Sequence, residues 1–150
     1  MQGAEIYFDI STVTGTENIM MAAVLAEGRT VLKNAAREPE VVELAMALKK
    51  MGAKIEGAGT DVILIDGVEE LQPIEYSIIA DRIEAGTFMV AAGITQGNVK
   101  LLNCNLAHME AITAKLREAG LEIIPEGDGV KVIGPVNIKP VDVKLSLIHI

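Results

Sequence analysis

The sequence predicts an α/β fold made of two βαβαββ repeat units. Three observations carry this. Residues 17–67 and 86–134 share their landmarks in order: Ala22-Ala23 falls on Ala91-Ala92, Gly28 on Gly97, Leu32 on Leu101 and Asn34 on Asn103. After a one-residue slip Leu48, Gly52 and Ile55 fall on Leu116, Gly120 and Ile123, and after another Gly67 falls on Gly134. Within each copy the apolar spacing switches between strand and helix periods. Finally, half the residues are hydrophobic but only 3% are aromatic, with no Trp, so the core is built from Ala, Val, Ile, Leu and Met, which suits helices lying on sheets. A unit of this size is too small to close its own core, and the chain reads as part of something repetitive.

The elements follow in order. Glu5 to Ile10 alternates loosely and is rich in Ile, Tyr and Phe, which predicts a strand. Ser11 to Thr16 reads as a turn-like loop in which Thr16 caps the helix over residues 18–27, and Gly28 ends that helix at C′. Arg29 to Asn34 is a strand. Arg37-Glu38-Pro39-Glu40 opens a second helix, with Pro in the first turn and carboxylates where the helix dipole favours them. Val41, Leu44, Ala45 and Leu48 give it one apolar face, and Gly52 stops it. Ala53 to Glu56 and Asp61 to Ile65 form a hairpin around Gly57 to Thr60. In the second copy the strand is Glu75 to Ile79, the polar loop Asp81 to Gly86, and the helix Thr87 to Thr95. Asn98 to Asn103 is the next strand. Asn105 caps a helix with Met109, Ile112, Thr113 and Leu116 on one face, and strands at Leu121 to Ile124 and Val130 to Ile133 close the unit. The two strands flanking each first helix are expected to run parallel through a right-handed crossover. Only Val68 to Ile74, with Pro73, joins the copies, and a boundary or hinge is expected there.

Composition excludes several functions. The formal net charge of −8 is opposite to what nucleic-acid binding requires, and the scarcity of aromatics argues against base stacking. No apolar run approaches the roughly 20 residues that span a bilayer. Residues 1–10 carry Glu5 and Asp9 and lack the basic start of a signal peptide. A single cysteine, Cys104, permits no intrachain disulfide and is consistent with a reducing cytoplasm. It reads as a structural thiol, and His108 as a surface residue. No metal site, nucleophile–base pair or dinucleotide loop is visible, and no cofactor is implied.

Three polar segments stand out. Ser11-Thr12-Val13-Thr14-Gly15-Thr16 places hydroxyls and backbone N–H groups before a helix, which suits a phosphate or a plain capped loop. Arg37-Glu38-Pro39-Glu40 could position a substrate or form a solvated helix start. Asp81-Arg82-Ile83-Glu84 could hold a phosphate or carboxylate through the Arg fork, or form a structural charge network.

Thr12 to Ala23, Asn34 to Val41 (Asn-Ala-Ala-Arg-Glu-Pro-Glu-Val) and Asp81 to Phe88 (Asp-Arg-Ile-Glu-Ala-Gly-Thr-Phe) together resemble the enolpyruvate transferases of the UDP-N-acetylglucosamine 1-carboxyvinyltransferase kind. The resemblance runs from about residue 3 to residue 144, and these motifs fit the related enolpyruvylshikimate phosphate synthases much less well. It implies an inside-out α/β barrel pair of six βαβαββ units, with the active site between the barrels. Residues 1–79 would be the last unit of the first barrel, and residues 80–144 the first continuing unit of the second.

The implied reaction moves the enolpyruvyl group of phosphoenolpyruvate onto the 3′-hydroxyl of UDP-N-acetylglucosamine with release of phosphate, the first committed step of peptidoglycan synthesis in the bacterial cytoplasm. By the resemblance, Ser11, Thr12, Val13 and Thr14 match the loop that holds the uridine diphosphate. Thr14 stands where relatives often carry Gly. Arg37, Glu38, Glu40, Asp81 and Arg82 match charged residues lining the cleft and imply positioning and closure, not proton transfer.

The family's catalytic Cys and its Lys-Asn pair belong to earlier units. Its Pro-Thr-Asp segment follows the equivalent of Lys144, where this chain reads Leu145 to Ile150 and fits no family pattern. The expectation is an internal fragment, inactive alone, that needs the rest of a transferase chain. The rival reading is a non-catalytic two-unit module that binds ligands or self-assembles.

Overall fold

A computed structural model describes residues 1–143, so the expectations for residues 145–150, His149 included, lie outside the described residues. The chain divides into two compact units, Met1–Ile79 and Ala80 onward.

In the N-terminal unit the order is β1 (Glu5–Tyr7), α1 (Val13–Ala23), β2 (Arg29–Lys33), α2 (Pro39–Lys50), β3 (Lys54–Glu56) and β4 (Val62–Asp66). The sheet runs β1-β2-β4-β3, with β1 parallel to β2 and the other pairs antiparallel. Leu32, Ile55, Ile63 and Ile65 pack with Met20 and Ala23 of α1, with Val24 just after it, and with Val41, Ala45 and Leu48 of α2, and all are buried. The face foreseen for α2 is the one it buries, and Leu44 packs against the same cluster.

The C-terminal unit runs α3 (Arg82–Ile94), β5 (Asn98–Leu102), a 3₁₀ turn (Leu106–His108), α4 (Glu110–Glu118), β6 (Glu122–Glu126) and β7 (Gly129–Ile133). Its sheet, β5-β7-β6, repeats the β2-β4-β3 order. Met89 and Ala92 of α3 pack with Met109, Leu121, Ile123, Val130 and Val132. Each unit thus gathers an apolar cluster of its own.

Close backbone approach explains one landmark pair. A Cβ on Gly67 would lie 1.6 Å from the Ala26 carbonyl oxygen, and one on Gly134 2.2 Å from that of Ala92. Both glycine N–H groups donate to the other landmark glycines, Gly67 to Gly28 O at 2.9 Å and Gly134 to Gly97 O at 2.8 Å. Asn34 and Asn103 share another property, a left-handed backbone with φ of 56° and 53°.

Five expectations are corrected. Residues 75–79 form no strand. That segment is tethered to α2 instead: the Gln72 N–H donates to Met51 O at 2.8 Å, the Ile79 N–H donates to Glu43 Oε1 at 3.1 Å, and Lys50 Nζ lies 4.7 Å from the centre of the Tyr76 ring. The Ile79 N–H is thereby taken by a carboxylate instead of a neighbouring strand. Asp81 to Gly86 is not a loop, because Asp-x-x-Glu is the spacing of an N-cap and N3. The Asp81 carboxylate accepts from the Ile83 N–H at 2.7 Å and the Glu84 N–H at 3.2 Å, so the helix starts at Arg82. Thr16 does not cap α1. Thr12 does, with extended φ and ψ of −139° and 128° and a side chain that accepts from the Gly15 N–H at 3.3 Å. Nor does Gly28 sit at the end of α1. The helix closes at Ala23, the Ala26 N–H then donates to Ala23 O at 3.0 Å, and Gly28 uses its φ of +88° in the turn before β2. Asn105 caps, but it caps the 3₁₀ turn, accepting from the Ala107 N–H at 3.1 Å, and α4 starts after Met109.

Candidate functional site

Because β1 and β2 are parallel neighbours, the segments that leave them for α1 and α2 exit at the same edge of the sheet. The carboxyl edge of parallel strands is where α/β sheets present ligand-binding loops. Ser11, Thr12, Val13 and Thr14 lie in the first segment, and Arg37, Glu38 and Glu40 in the second.

Thr12 and Val13 are half-buried, while Ser11 and Thr14 are exposed at the start of α1, where free N–H groups and the helix dipole favour an anion. Gly15 lets this turn close. A Cβ there would sit 2.4 Å from Thr12 Cγ2. The close approach of glycine therefore falls at position 15, one residue past Thr14.

The second segment is pinned residue by residue. Asn34 Nδ2 donates to Phe8 O at 2.7 Å and joins the ends of β1 and β2. The Ala35 N–H donates to Asp61 O at 3.0 Å, the Ala36 N–H to Thr16 Oγ1 at 3.1 Å, and the Arg37 N–H to Glu38 Oε2 at 2.8 Å. The Arg37 guanidinium is exposed, with Asp61 Oδ2 3.9 Å from Nη2. Such an open, long pair holds it weakly, which leaves the cation available to an anion. Glu38 is the N-cap residue of α2, yet its carboxylate turns back to Arg37 instead of capping. Pro39 occupies the first turn, where its missing N–H costs nothing.

Glu17 was not foreseen as a site residue. Burial and, secondarily, the Glu40 carboxylate push its carboxyl above the ordinary range, so α1 and α2 bring acidic groups within electrostatic reach of each other. Thr16, expected as a cap, is instead fully buried within α1, and its partner across the fold, the Ala36 N–H, was not legible in the sequence.

In the C-terminal unit, Asp81 is committed to capping α3, and Arg82 is half-buried beside a cavity of about 320 Å³. Ile83, Val90, Met109 and Ile112 make that cavity largely apolar, and His108 lies at its border. Gly86 sets the spacing of α3 and α4 here, since a Cβ would meet Ile112 Cδ1 at 2.9 Å. His108 Nε2 is 3.1 Å from Asn105 Nδ2. Cys104 is half-buried, its Sγ 3.6 Å from Met109 Sδ, and burial pushes the thiol up. It reads as a packing residue. Among the described residues no cluster of His, Cys, Asp and Glu could hold a metal, and no helix is long and apolar enough to cross a membrane.

Comparison with known proteins gives these features a context. The family model for EPSP synthase (3-phosphoshikimate 1-carboxyvinyltransferase) matches residues 1–149. The UDP-N-acetylglucosamine 1-carboxyvinyltransferase of Geotalea daltonii is 56% identical over 144 residues, covering 96% of this chain and 34% of the relative. That of Sorangium cellulosum is 60% identical over 132 residues, covering 88% and 31%. The chain therefore spans about a third of the length of these relatives. Among solved structures, the enolpyruvyl transferase NikO from Streptomyces tendae superposes with a TM-score of 0.73 at 19% identity, covering 89% of this chain and 35% of that one. The EPSP synthase of Acinetobacter baumannii gives 0.64 at 21%, covering 89% and 32%. These two show the fold. With a family model spanning nearly every residue and relatives above half identity, the chain belongs to the EPSP synthase family of enolpyruvyl transferases.

Proposed function

We propose that these residues supply part of the substrate cleft of a transferase that moves the enolpyruvyl group of phosphoenolpyruvate to the 3′-hydroxyl of UDP-N-acetylglucosamine, releasing phosphate. The observation that carries the proposal is the convergence of two pinned loops at one sheet edge. One is an α1 N-terminus furnished with hydroxyls, the other a loop that presents the exposed Arg37. Ser11, Thr12, Val13 and Thr14 hold the uridine diphosphate, whose negative charge suits free N–H groups at the start of a helix. Arg37, with Glu38 and Glu40, orients the sugar and closes on it. In the second unit Asp81 fixes the start of α3 and thereby aims Arg82 at the anionic end of a substrate. None of these residues transfers the proton.

In this reading Met1–Ile79 is the last unit of one barrel, and residues 80–144 the first continuing unit of the other. The exposed apolar side chains of the first helices fit burial by further units. Met21 on α1, Leu25 in the turn after it, and Ile83, Phe88, Val90 and Ile94 on α3 are all more than 40% exposed. The reaction belongs to peptidoglycan precursor synthesis in the cytoplasm, and the 150 residues alone do not turn over.

A graft tests this. The matching 144 residues of the Geotalea daltonii relative are replaced with this chain, and phosphate release is assayed with both substrates. The graft turns over, Arg37→Ala lowers its kcat/KM at least tenfold, and the isolated chain releases nothing above background. A folded but inert graft, or turnover by the isolated chain, refutes the proposal.

A further inference from the structure

We infer that Thr16 is a positioning residue that couples the two substrate loops of the N-terminal unit. Its hydroxyl works in both directions: Oγ1 donates to Thr12 O at 2.7 Å and accepts from the Ala36 N–H at 3.1 Å. Thr16 and Ala36 are both buried, at 0% and 1% exposure, so no water can substitute for either partner. One hydroxyl thus ties the capping residue of α1 to the backbone that precedes Arg37. The inference rests on the reading of these loops as substrate-facing.

A fold-only role for the hydroxyl is a weaker explanation, because the molecule contains its own control. At the offset that pairs Ala23 with Ala92 and Asn34 with Asn103, Thr12 falls on Asp81 and Thr16 on Ala85. α3 forms and caps without a hydroxyl at that position. The bond to Thr12 O is the common back-bond of a helical threonine and satisfies only the donor. The bond from Ala36 is an addition, and it occurs in the unit whose second loop carries Arg-Glu-Pro-Glu. In the other unit the same stretch is a 3₁₀ turn capped locally by Asn105. Displacement of Thr12 by a bound diphosphate is therefore passed through Thr16 to Ala36 and on to Arg37.

Amide-resolved NMR on the full 150-residue chain tests this, using the near-isosteric Thr16→Val and the hydroxyl-preserving Thr16→Ser. Without ligand, Thr16→Val speeds hydrogen exchange at Ala36 about tenfold or more, while the core amides of Leu32 and Ile63 keep their protection. Titration of the wild type with UDP-N-acetylglucosamine shifts the amides of Thr12 to Gly15 together with those of Ala36 to Glu40. Thr16→Val retains the first set and loses the second, and Thr16→Ser restores both. If both sets still move together in Thr16→Val, or if exchange rises evenly across the unit, the coupling role is overturned. If the wild type shows no shift at Thr12 to Gly15 while the graft turns over, the coupling is overturned and the substrate reading stands; an inert graft removes both.

Discussion

The two units close the same three strands in the same order, β2-β4-β3 and β5-β7-β6, around helices at matching positions. They differ at the outer edge. In the N-terminal unit β1 lies parallel on β2, and its end is tied to Asn34 through Phe8 O. In the C-terminal unit no strand among the described residues pairs with the outer edge of β5, because residues 75–79 are held on α2. The cores differ in the same direction. Thirteen buried hydrophobic residues form the first cluster and eight the second, among the described residues, so the first unit encloses the larger apolar core. The loop pair proposed to grip the nucleotide sits on that better-closed unit. Scaffold is repeated; the proposed site is built from what the repeat does not share.

The strongest way to test how far the likeness goes is to strike the same landmark in both units. Gly67→Ala and Gly134→Ala each force a Cβ into a backbone carbonyl. Each is expected to destabilise its own unit by about 3 kcal/mol, read as loss of the amide spectrum of that unit alone. Loss of both units from either substitution would mean that they fold as one.

A smaller effect sharpens the difference at the edge. Asn34 and Asn103 both pay for a left-handed backbone, which Gly relieves. Asn34→Gly also removes the bond to Phe8 O and should cost about 1 kcal/mol. Asn103→Gly should stay within about 0.5 kcal/mol of the wild type or gain slightly. Urea unfolding followed by circular dichroism checks both, and equal effects would show that the β1 tether contributes nothing.

The smallest effect concerns one rung of the ladder. Arg29 opposes Asp66 in the first unit, whereas Asn98 opposes Ile133 in the second. Arg29 Nε and Nη2 donate to the Asp66 oxygens at 2.7 and 2.8 Å, and this bond holds the Asp66 carboxyl below its usual range. A carboxyl lowered in the folded state stabilises fully above its unfolded value and loses that contribution as pH falls through the folded one. Acidification below the ordinary carboxylate range should therefore weaken the first unit slightly at this rung. Asp66→Asn should abolish that part of the pH dependence in NMR-monitored acid titrations.

Much of this architecture was legible in the sequence. Helix faces such as Val41, Ala45 and Leu48 follow from spacing, and the two hairpins from their turn residues. What was not legible depends on partners distant in the chain. Glu75 to Ile79 has strand-like composition, but a strand exists only where a ladder accepts it, and Glu43 had taken the Ile79 donor. The Asp81 cap was legible in principle, since Asp-x-x-Glu is a helix signature, but the charge run suggested a loop. Of the site, the two loops were visible as polar segments. The bond between Thr16 and Ala36 was not, and the only local hint was Thr in one copy against Ala in the other.

The distribution of a few rare side chains has a practical consequence. Both tyrosines, Tyr7 and Tyr76, belong to the N-terminal unit, the chain has no Trp, and the single thiol, Cys104, lies half-buried against Met109 in the other unit. Intrinsic tyrosine fluorescence therefore reports one half of the molecule and thiol labelling the other. One unmodified sample follows two separate openings.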